Sequence, residues 1–258
     1  MRRIDVRIRR LLSSIFNKLS ITAIIAGIDE AGRGALAGPV VAAACVLKAE
    51  LFRKVAPFLH WSPKKRKNQT GHCRIGDSKK LTPEERAVAY EWITRHSSFG
   101  VGMSPSEDVE TLGILGATEK AMHLALKDLE KTLRPTYLLV DGRDAFWFDY
   151  PHSSLIGGDG LEPCIAAASI IAKVTRDRWM TDIAKHHASF GFDRHKGYGT
   201  AGHFAALKVH GPCAIHRKNF LRKFFETGET TYDLSDAGPI PIHLQSSTPA
   251  RKIGSVSS

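Results

Sequence analysis

Cysteine is scarce in this sequence, and no apolar run in it is long enough to span a bilayer. The 258 residues include four cysteines, Cys45, Cys73, Cys164 and Cys213, with no Cys-x-x-Cys pair among them. Cys45 and Cys164 lie in apolar runs, which predicts buried free thiols, a reducing compartment and a cytoplasmic location. Because a transmembrane helix needs about 20 apolar residues, no membrane association is expected.

Two further kinds of site are not supported by the sequence. It contains no phosphate-loop lysine motif. His210, Cys213 and His216 have an HxxCxxH spacing, but no second ligand pair accompanies them. We therefore interpret this segment as a polar loop and set zinc aside.

Acidic residues are outnumbered by basic ones. There are 37 Lys and Arg against 26 Asp and Glu, which gives a net charge of +11 and a pI near 9.6. This surplus favours a polyanionic partner, with nucleic acid ahead of a membrane surface. Charge alone is weak evidence, because surplus lysine also keeps proteins soluble. The basic run at residues 64–67 would add phosphate attraction beside a nucleic-acid groove.

An apolar run near the N-terminus leads into two adjacent carboxylates. Residues 23–28 are typical of a buried strand, and Asp29 and Glu30 follow without a break. Adjacent side chains of a regular strand point to opposite faces, so we expect a bend at Glu30 that Gly32 permits. The glycine-rich sequence that follows argues against an ordinary solvated turn.

The remaining sequence predicts alternating strands and helices. We expect strands at 40–47, 99–103 and 137–140, and helices at 83–96, 114–133, 164–187 and 201–209. A capping box at Thr82 with proline next to it marks the start of the first helix. Asp141 ends a buried strand, where open α/β sheets form sites.

Four carboxylates are candidates for one site. Asp29, Glu30 and Asp141 lie at the ends of strands predicted to be neighbours, and Asp177 lies on the helix predicted to cross them. By itself, Asp177 would be interpreted as a surface partner of Lys173. Four acids in a dry cleft repel one another, and oxygen ligands favour Mg²⁺ or Mn²⁺ over zinc. Two such ions about 4 Å apart would activate a water and stabilise the leaving oxygen of a phosphodiester.

Six motifs stand out along the chain: GIDEAGRG–LAGPVVAAA, DSKKL, VDG, AAASIIAKVTRD, HKGYGT and GP–IHR. In these motifs and in their order, the sequence resembles the ribonucleases HII, the type-2 ribonucleases H. The resemblance covers residues 23–224 and implies an α/β fold with an RNase H-like mixed β-sheet, flanking helices and a C-terminal helical segment. It also implies endonucleolytic cleavage of the RNA strand of RNA–DNA hybrids. Incision 5′ to single ribonucleotides in duplex DNA is implied as well, with 3′-hydroxyl and 5′-phosphate products.

The resemblance also assigns roles to residues. The catalytic, metal-binding acids that it implies are Asp29, Glu30, Asp141 and Asp177, with Asp29 shared by both ions. The substrate-binding residues that it implies are Gly32, Arg33, Gly34, Ser78, Lys79, Lys80 and Tyr198. Gly32, Arg33 and Gly34 match a loop that reads the 2′-hydroxyl through close-lying backbone groups. Tyr198 matches a family tyrosine that packs against the sugar beside the RNA–DNA junction and helps to sense the same hydroxyl. Ser78 to Lys80, and residues around His195 and Lys196, match phosphate contacts.

The sequence departs from the family pattern at a few positions. Ala35 stands where members usually have proline. Gly157 and Cys164 stand where lysine and serine are expected, and the absence of that lysine removes one supporting phosphate or site contact that the resemblance would imply. The domains expected are a basic extension at 1–20, a catalytic domain at 21–188, a C-terminal helical substrate-binding segment at 189–225 and a disordered tail at 226–258.

Two alternative functions stay open at this point. One is another nuclease or strand-transfer enzyme on the same fold, although such enzymes have no need of a ribose-reading loop. The other is a non-catalytic binder of hybrids, which four retained acids argue against, because carboxylates facing phosphates weaken binding. The expected partners are RNA–DNA hybrids and ribonucleotide-containing duplex DNA, bound by a monomer.

Overall fold

A computed structural model describes residues 24–47 and 75–226 of the chain. A five-stranded sheet is formed by β1 (Ile25–Ala31), β2 (Val40–Leu47), β3 (Ser97–Ser104), β4 (Tyr137–Asp141) and β5 (His152–Leu155). The strands lie in the order β3-β2-β1-β4-β5. The four predicted strands are therefore confirmed, and β5 lies in a segment for which no strand was predicted.

Strand register brings two of the candidate acids to one end of the sheet. β4 pairs in parallel with both β1 and β5, and Ile28 of β1 lies opposite Val140 of β4. Asp29 and Asp141 are the next residues of these two strands. They therefore occupy neighbouring positions at the carboxyl ends of parallel strands, where open α/β sheets form sites.

The four predicted helices are present in the predicted order, and two short helices of the C-terminal segment were not predicted individually. The helices are α1 (Pro83–His96), α2 (Ser106–Glu130), α3 (Pro163–Ile183), α4 (Phe192–His195), α5 (Ala201–His210) and α6 (Lys218–Glu226). The capping box of α1 is confirmed: the Glu85 amide donates to Thr82 Oγ1 at 3.2 Å, and the Thr82 amide donates to Glu85 Oε2 at 2.8 Å. Gly113, with φ 70° and ψ 170°, interrupts α2, so the periodic segment predicted from 114 is its second part.

The chain divides into two compact units, the first of which contains the described residues of 1–29, 44–100 and 127–170. Leu139, Leu155, Cys164 and Ile165 form a buried apolar cluster in it. Gly27 allows β1 and the start of α3 to pack closely, because a Cβ there would lie 2.2 Å from the carbonyl carbon of Cys164. The thiol of Cys164 is buried as predicted, and burial raises its pKa.

The second unit contains the described residues of 30–43, 101–126 and 171–258. Its core is an apolar cluster of buried side chains from α3 and from the C-terminal segment. These include Trp179, Met180, Ile183, Phe192, Leu207, Ile215 and Leu221. The C-terminal segment therefore shares one packed core with α3 in this unit, while the domain boundaries drawn from the sequence stay predictions.

The backbone at the end of β1 differs from the prediction, and several predicted segments lie outside the described residues. The bend predicted at Glu30 is wrong, because β1 continues through Glu30 to Ala31 and the left-handed backbone comes at Gly32, with φ 99°. The basic run at 64–67, the extension at 1–20 and the tail beyond residue 226 lie outside the described residues. In the described part of the chain, no helix is both long and apolar enough to cross a membrane.

Candidate active site

In the first unit, the carboxyl group of Asp141 is held at the end of β4. The Gly158 amide donates to Asp141 Oδ1 at 2.7 Å, which fixes the side chain from the 3₁₀ turn at Gly158–Gly160. Asp29, at the neighbouring strand position, is buried with 5% exposure. Two carboxylates thus occupy neighbouring positions on adjacent parallel strands.

Lys79 supplies positive charge to these acids. Burial lowers the pKa of Lys79, but attraction to nearby carboxylates outweighs it, and the pKa lies above its usual 10.5. In order of effect, those carboxylates are Asp159, Asp29, Asp77 and Asp141. Burial, with repulsion from Asp77 and Asp141, raises the pKa of Asp159. Lys79 therefore lies within electrostatic reach of both strand-end acids.

Asp159 is a site residue that sequence reasoning did not single out. It is buried, and it follows Gly158, whose amide holds Asp141. The sequence feature that could have indicated Asp159 is its position between Gly158 and Gly160, just before α3. Its charge lies beside the predicted metal ligand Asp141, so it belongs to the same local electrostatic network.

The three predicted phosphate contacts at Ser78–Lys80 form a 3₁₀ turn capped by Asp77, whose carboxylate accepts from the Lys79 amide at 3.0 Å. Ser78 is buried, and its hydroxyl accepts a hydrogen bond from Ser169 at 2.9 Å. Lys80 pairs with Asp77 at 2.7 Å and remains exposed. The two lysines are therefore the members of this set that face solvent.

In the second unit, residues 32–39 form a tight segment that we call the glycine loop. Gly32 is buried at its start, and Gly34 is exposed with no atom within 4 Å of a Cβ built on it. Arg33 Nη1 lies 3.4 Å from Glu30 Oε1, so the second predicted acid is paired within this segment. An exposed glycine here leaves its backbone open to close approach.

Asp177 and Tyr198 lie close to the same lysine in the second unit. Lys173 Nζ lies 2.8 Å from Asp177 Oδ1, so the pairing expected for Asp177 by itself is formed. The same Nζ lies 5.4 Å from the centre of the Tyr198 ring. Lys196 Nζ donates to Thr181 Oγ1 at 2.8 Å. The predicted acid and the predicted sugar-packing tyrosine thus have a common cationic neighbour.

The structure brings Asp29 and Asp141 together in one unit and places Glu30 and Asp177 in the other. In residues 24–47 and 75–226, no group of three or more His, Cys, Asp or Glu side chains is arranged to hold a metal ion. The convergence of all four acids therefore stays a prediction. Carboxylate donors nevertheless have the hard-oxygen chemistry that suits Mg²⁺ and Mn²⁺.

The HxxCxxH segment forms a loop between α5 and α6, as predicted, but its second histidine is buried in hydrogen bonds. His216 is 3% exposed, and its Nδ1 accepts from the Cys213 amide at 2.9 Å. That leaves the ring proton on Nε2, which donates to Nε2 of buried His203 at 2.9 Å. His203 Nδ1–H in turn donates to the Tyr198 carbonyl at 3.0 Å. We call His203 and His216 the histidine pair.

Solved structures with the same fold are ribonucleases H. The ribonuclease H2 of Pyrococcus horikoshii OT3 matches with a TM-score of 0.60 and 23% identity over 79% of this chain and 97% of that chain. Bst-RNase HIII in complex with Mn²⁺ matches with a TM-score of 0.50 and 18% identity over 74% of this chain and 63% of that chain. The expected RNase H-like sheet with flanking helices is confirmed.

Fold and sequence together define an enzyme of the ribonuclease H class, a phosphodiester hydrolase. The family model described as ribonuclease HII matches residues 26–227. The ribonuclease HII of Erythrobacter litoralis (strain HTCC2594) is 44% identical over 202 residues, which are 75% of this chain and 85% of that protein. This chain belongs to the ribonuclease HII family, and membership supports endoribonuclease activity on RNA–DNA hybrids.

Proposed function

We propose that this ribonuclease also incises duplex DNA 5′ to a single embedded ribonucleotide. In this proposal it works by two-metal-ion hydrolysis and leaves 3′-hydroxyl and 5′-phosphate ends. The observation that carries the proposal is the placement of Asp29 and Asp141 directly after Ile28 and Val140, the last paired residues of β1 and β4. Two acids at that edge, with Lys79 within electrostatic reach, form a charged site suited to phosphoryl chemistry.

Asp29, Glu30, Asp141 and Asp177 would hold the divalent cations. Mn²⁺ is bound by Bst-RNase HIII, and Mg²⁺ or Mn²⁺ suits an all-carboxylate set here. When bound, such ions supply activation of an attacking water and stabilisation of the leaving oxygen. The Gly158 amide donates to Asp141 Oδ1 at 2.7 Å and so restrains the carboxylate that would bind a cation.

Ribose recognition falls to the glycine loop and Tyr198. The 2′-hydroxyl is the group that distinguishes an RNA sugar from a DNA sugar, and only a closely approaching donor or acceptor can detect it. Exposed Gly34 leaves the backbone open to such an approach. The half-buried Tyr198 ring offers a face for the neighbouring sugar, and its backbone is fixed by bonds from Thr200 and His203.

Phosphate contacts would come from Lys79 and Lys80 and from the segment around His195 and Lys196. Both lysines of the 3₁₀ turn are exposed, so their charges can meet a polyanion. With a net charge of +11, the whole chain attracts nucleic acid and gives binding that weakens as salt rises.

Asp29→Asn and Asp141→Asn test the metal-ligand assignment. Each substitution removes one anionic ligand while keeping the shape of the side chain, so we expect cleavage to fall by about a thousandfold or more. Binding of a duplex with one ribonucleotide should be retained or strengthened, since a carboxylate no longer faces phosphate. Denaturing gels measure cleavage, and fluorescence anisotropy measures binding.

Asp149→Asn is the matched control, because Asp149 is an exposed acid of the same unit outside the candidate site. It should cleave as the unmodified chain does. Full activity of Asp29→Asn or Asp141→Asn would contradict the assignment. Loss of binding in parallel with loss of cleavage would instead indicate damage to the fold.

A further inference from the structure

Two arginines with no solvent exposure, Arg176 of α3 and Arg217 just before α6, lie against the glycine loop. They are the largest fully buried side chains of the described residues. A buried guanidinium is unfavourable unless its donors are satisfied. Here the donors are satisfied by backbone carbonyls of the loop, which links the conformation of the loop directly to these two side chains.

Arg217 binds both ends of the loop. Its Nη1 donates to the carbonyls of Gly32 at 2.8 Å, Arg33 at 3.0 Å and Ala35 at 2.9 Å. Its Nε and Nη2 donate to the Gly38 carbonyl at 3.0 and 2.7 Å. A single planar group therefore donates five hydrogen bonds to four carbonyls and sets the curvature of the segment that carries Gly34.

Arg176 connects the loop to the tyrosine segment. Its Nε donates to the Pro39 carbonyl at 2.9 Å and its Nη2 to the Ala37 carbonyl at 3.0 Å. Its Nη1 donates to the Lys196 carbonyl at 2.9 Å, and its Cζ lies 5.3 Å from the centre of the Tyr198 ring. One guanidinium thus contacts both elements that we assign to ribose reading.

Gly32 shows how tightly the loop and Arg176 fit. A Cβ at Gly32 would lie 2.1 Å from Arg176 Nε, and the backbone there has φ 99°. Arginine presents five donors in a fixed plane, whereas lysine has three donors at one point on a flexible stem. Lysine therefore keeps the charge but cannot span carbonyls from both ends of the loop.

We propose that Arg176 and Arg217 are positioning residues for ribose recognition. Arg217 sets the shape of the glycine loop, and Arg176 holds that loop in register with Tyr198. Neither side chain touches substrate, since both are buried. This inference rests on the proposed function and adds to it the groups that preorganise the ribose-reading surface before substrate arrives.

Arg176→Lys and Arg217→Lys test the proposal, with the exposed residues Arg178 of α3 and Arg222 of α6 changed to lysine as matched controls. Binding of two labelled duplexes, one with a single ribonucleotide and one all DNA, is measured by anisotropy in EDTA. We expect the affinity for the single-ribonucleotide duplex, divided by the affinity for the all-DNA duplex, to fall about tenfold in Arg176→Lys and Arg217→Lys. Affinity for all-DNA duplex should stay within about twofold, because the exposed basic surface is intact.

If the affinity ratio of Arg176→Lys and Arg217→Lys equals that of the controls, or if both affinities fall equally, the positioning role is overturned. Absence of any ribonucleotide preference in the unmodified chain overturns the proposed function instead. Amide hydrogen exchange of residues 32–39 in the unmodified chain tests the loop without a substitution. Slow exchange supports a preformed loop, and exchange as fast as in an unfolded peptide contradicts it.

Discussion

Gly34 is the residue at which close approach of the loop backbone to a ribose can be tested with least damage to the fold. A Cβ at Gly34 meets no atom within 4 Å, and its backbone is not in the left-handed region. Gly34→Ala should therefore change the free energy of unfolding by less than about 0.5 kcal/mol. We expect kcat/KM for a single-ribonucleotide duplex to fall about tenfold, because the methyl group keeps the sugar away from the backbone.

Gly202→Ala serves as the control for this variant. Gly202 is exposed in the first turn of α5, and a Cβ there also meets no neighbour. Gly202→Ala should leave kcat/KM unchanged. If Gly34→Ala also has the kcat/KM of the unmodified chain, the glycine loop does not approach the ribose closely.

The positions of candidate residues were predictable where the local sequence forms a strand, and their contacts were unpredictable where they involve the backbone of another segment. Asp29 and Asp141 follow apolar runs, so their places at strand ends could be read from the sequence. Asp159 shows no periodic pattern. Arg217 acts through carbonyls of residues about 180 positions away, and no pattern in the sequence specifies which carbonyls a buried guanidinium will meet.

At the scale of elements, the histidine pair joins α5 to the segment before α6 and supports the Tyr198 carbonyl. Burial lowers the pKa of His203 to about 4. Burial, followed by repulsion from His203, lowers that of His216 to about 3. His195 stacks on His203 at 4.4 Å, and the Cys213 thiol faces His216 at 3.2 Å. The pair is therefore neutral in the folded chain near neutral pH.

Stability should fall with acid because of this pair. The unfolded chain takes up these protons near pH 6.5, before the folded chain does, so the contribution is complete above pH 6.5 and is lost as pH falls toward 4. We expect a slope of about 1.4 kcal/mol per pH unit for each histidine in that range. Urea unfolding at several pH values measures the slope.

His203→Gln removes one titrating group and leaves an amide oxygen that can accept from His216. The slope between pH 6 and 4.5 should then be smaller than in the unmodified chain. His152→Gln, at an exposed position of β5, should leave the slope unchanged. Equal slopes in the unmodified chain and in His203→Gln would show that the pair does not titrate on unfolding.

Elements were predictable where the local sequence alone determines them. β2 was expected at 40–47 and occupies those residues, because a continuous apolar run suits a strand buried on both faces. β5 was missed because HSSL is short and polar, and its conformation comes from parallel pairing with β4. The left-handed residue Gly113 divides α2 in a way that helical periodicity does not reveal.

At the scale of the whole molecule, the proposed mechanism depends on the carboxylates of Asp29, Glu30, Asp141 and Asp177. The net charge of +11 suits a ribonuclease HII family member, because the substrate of such an enzyme is a polyanion. The alternative of a non-catalytic binder predicts the same attraction without cleavage. Product chemistry therefore separates these functions more directly than affinity does.

The most direct measurement is mapping of the products from a duplex with one ribonucleotide, with and without EDTA, beside an all-DNA control. The account predicts one incision 5′ to the ribonucleotide, with 3′-hydroxyl and 5′-phosphate ends. We expect no cut in EDTA, recovery with added Mg²⁺ or Mn²⁺, and no cut in all-DNA duplex. Cleavage that persists in EDTA, or products ending in a 2′,3′-cyclic phosphate, would contradict metal-dependent attack by water.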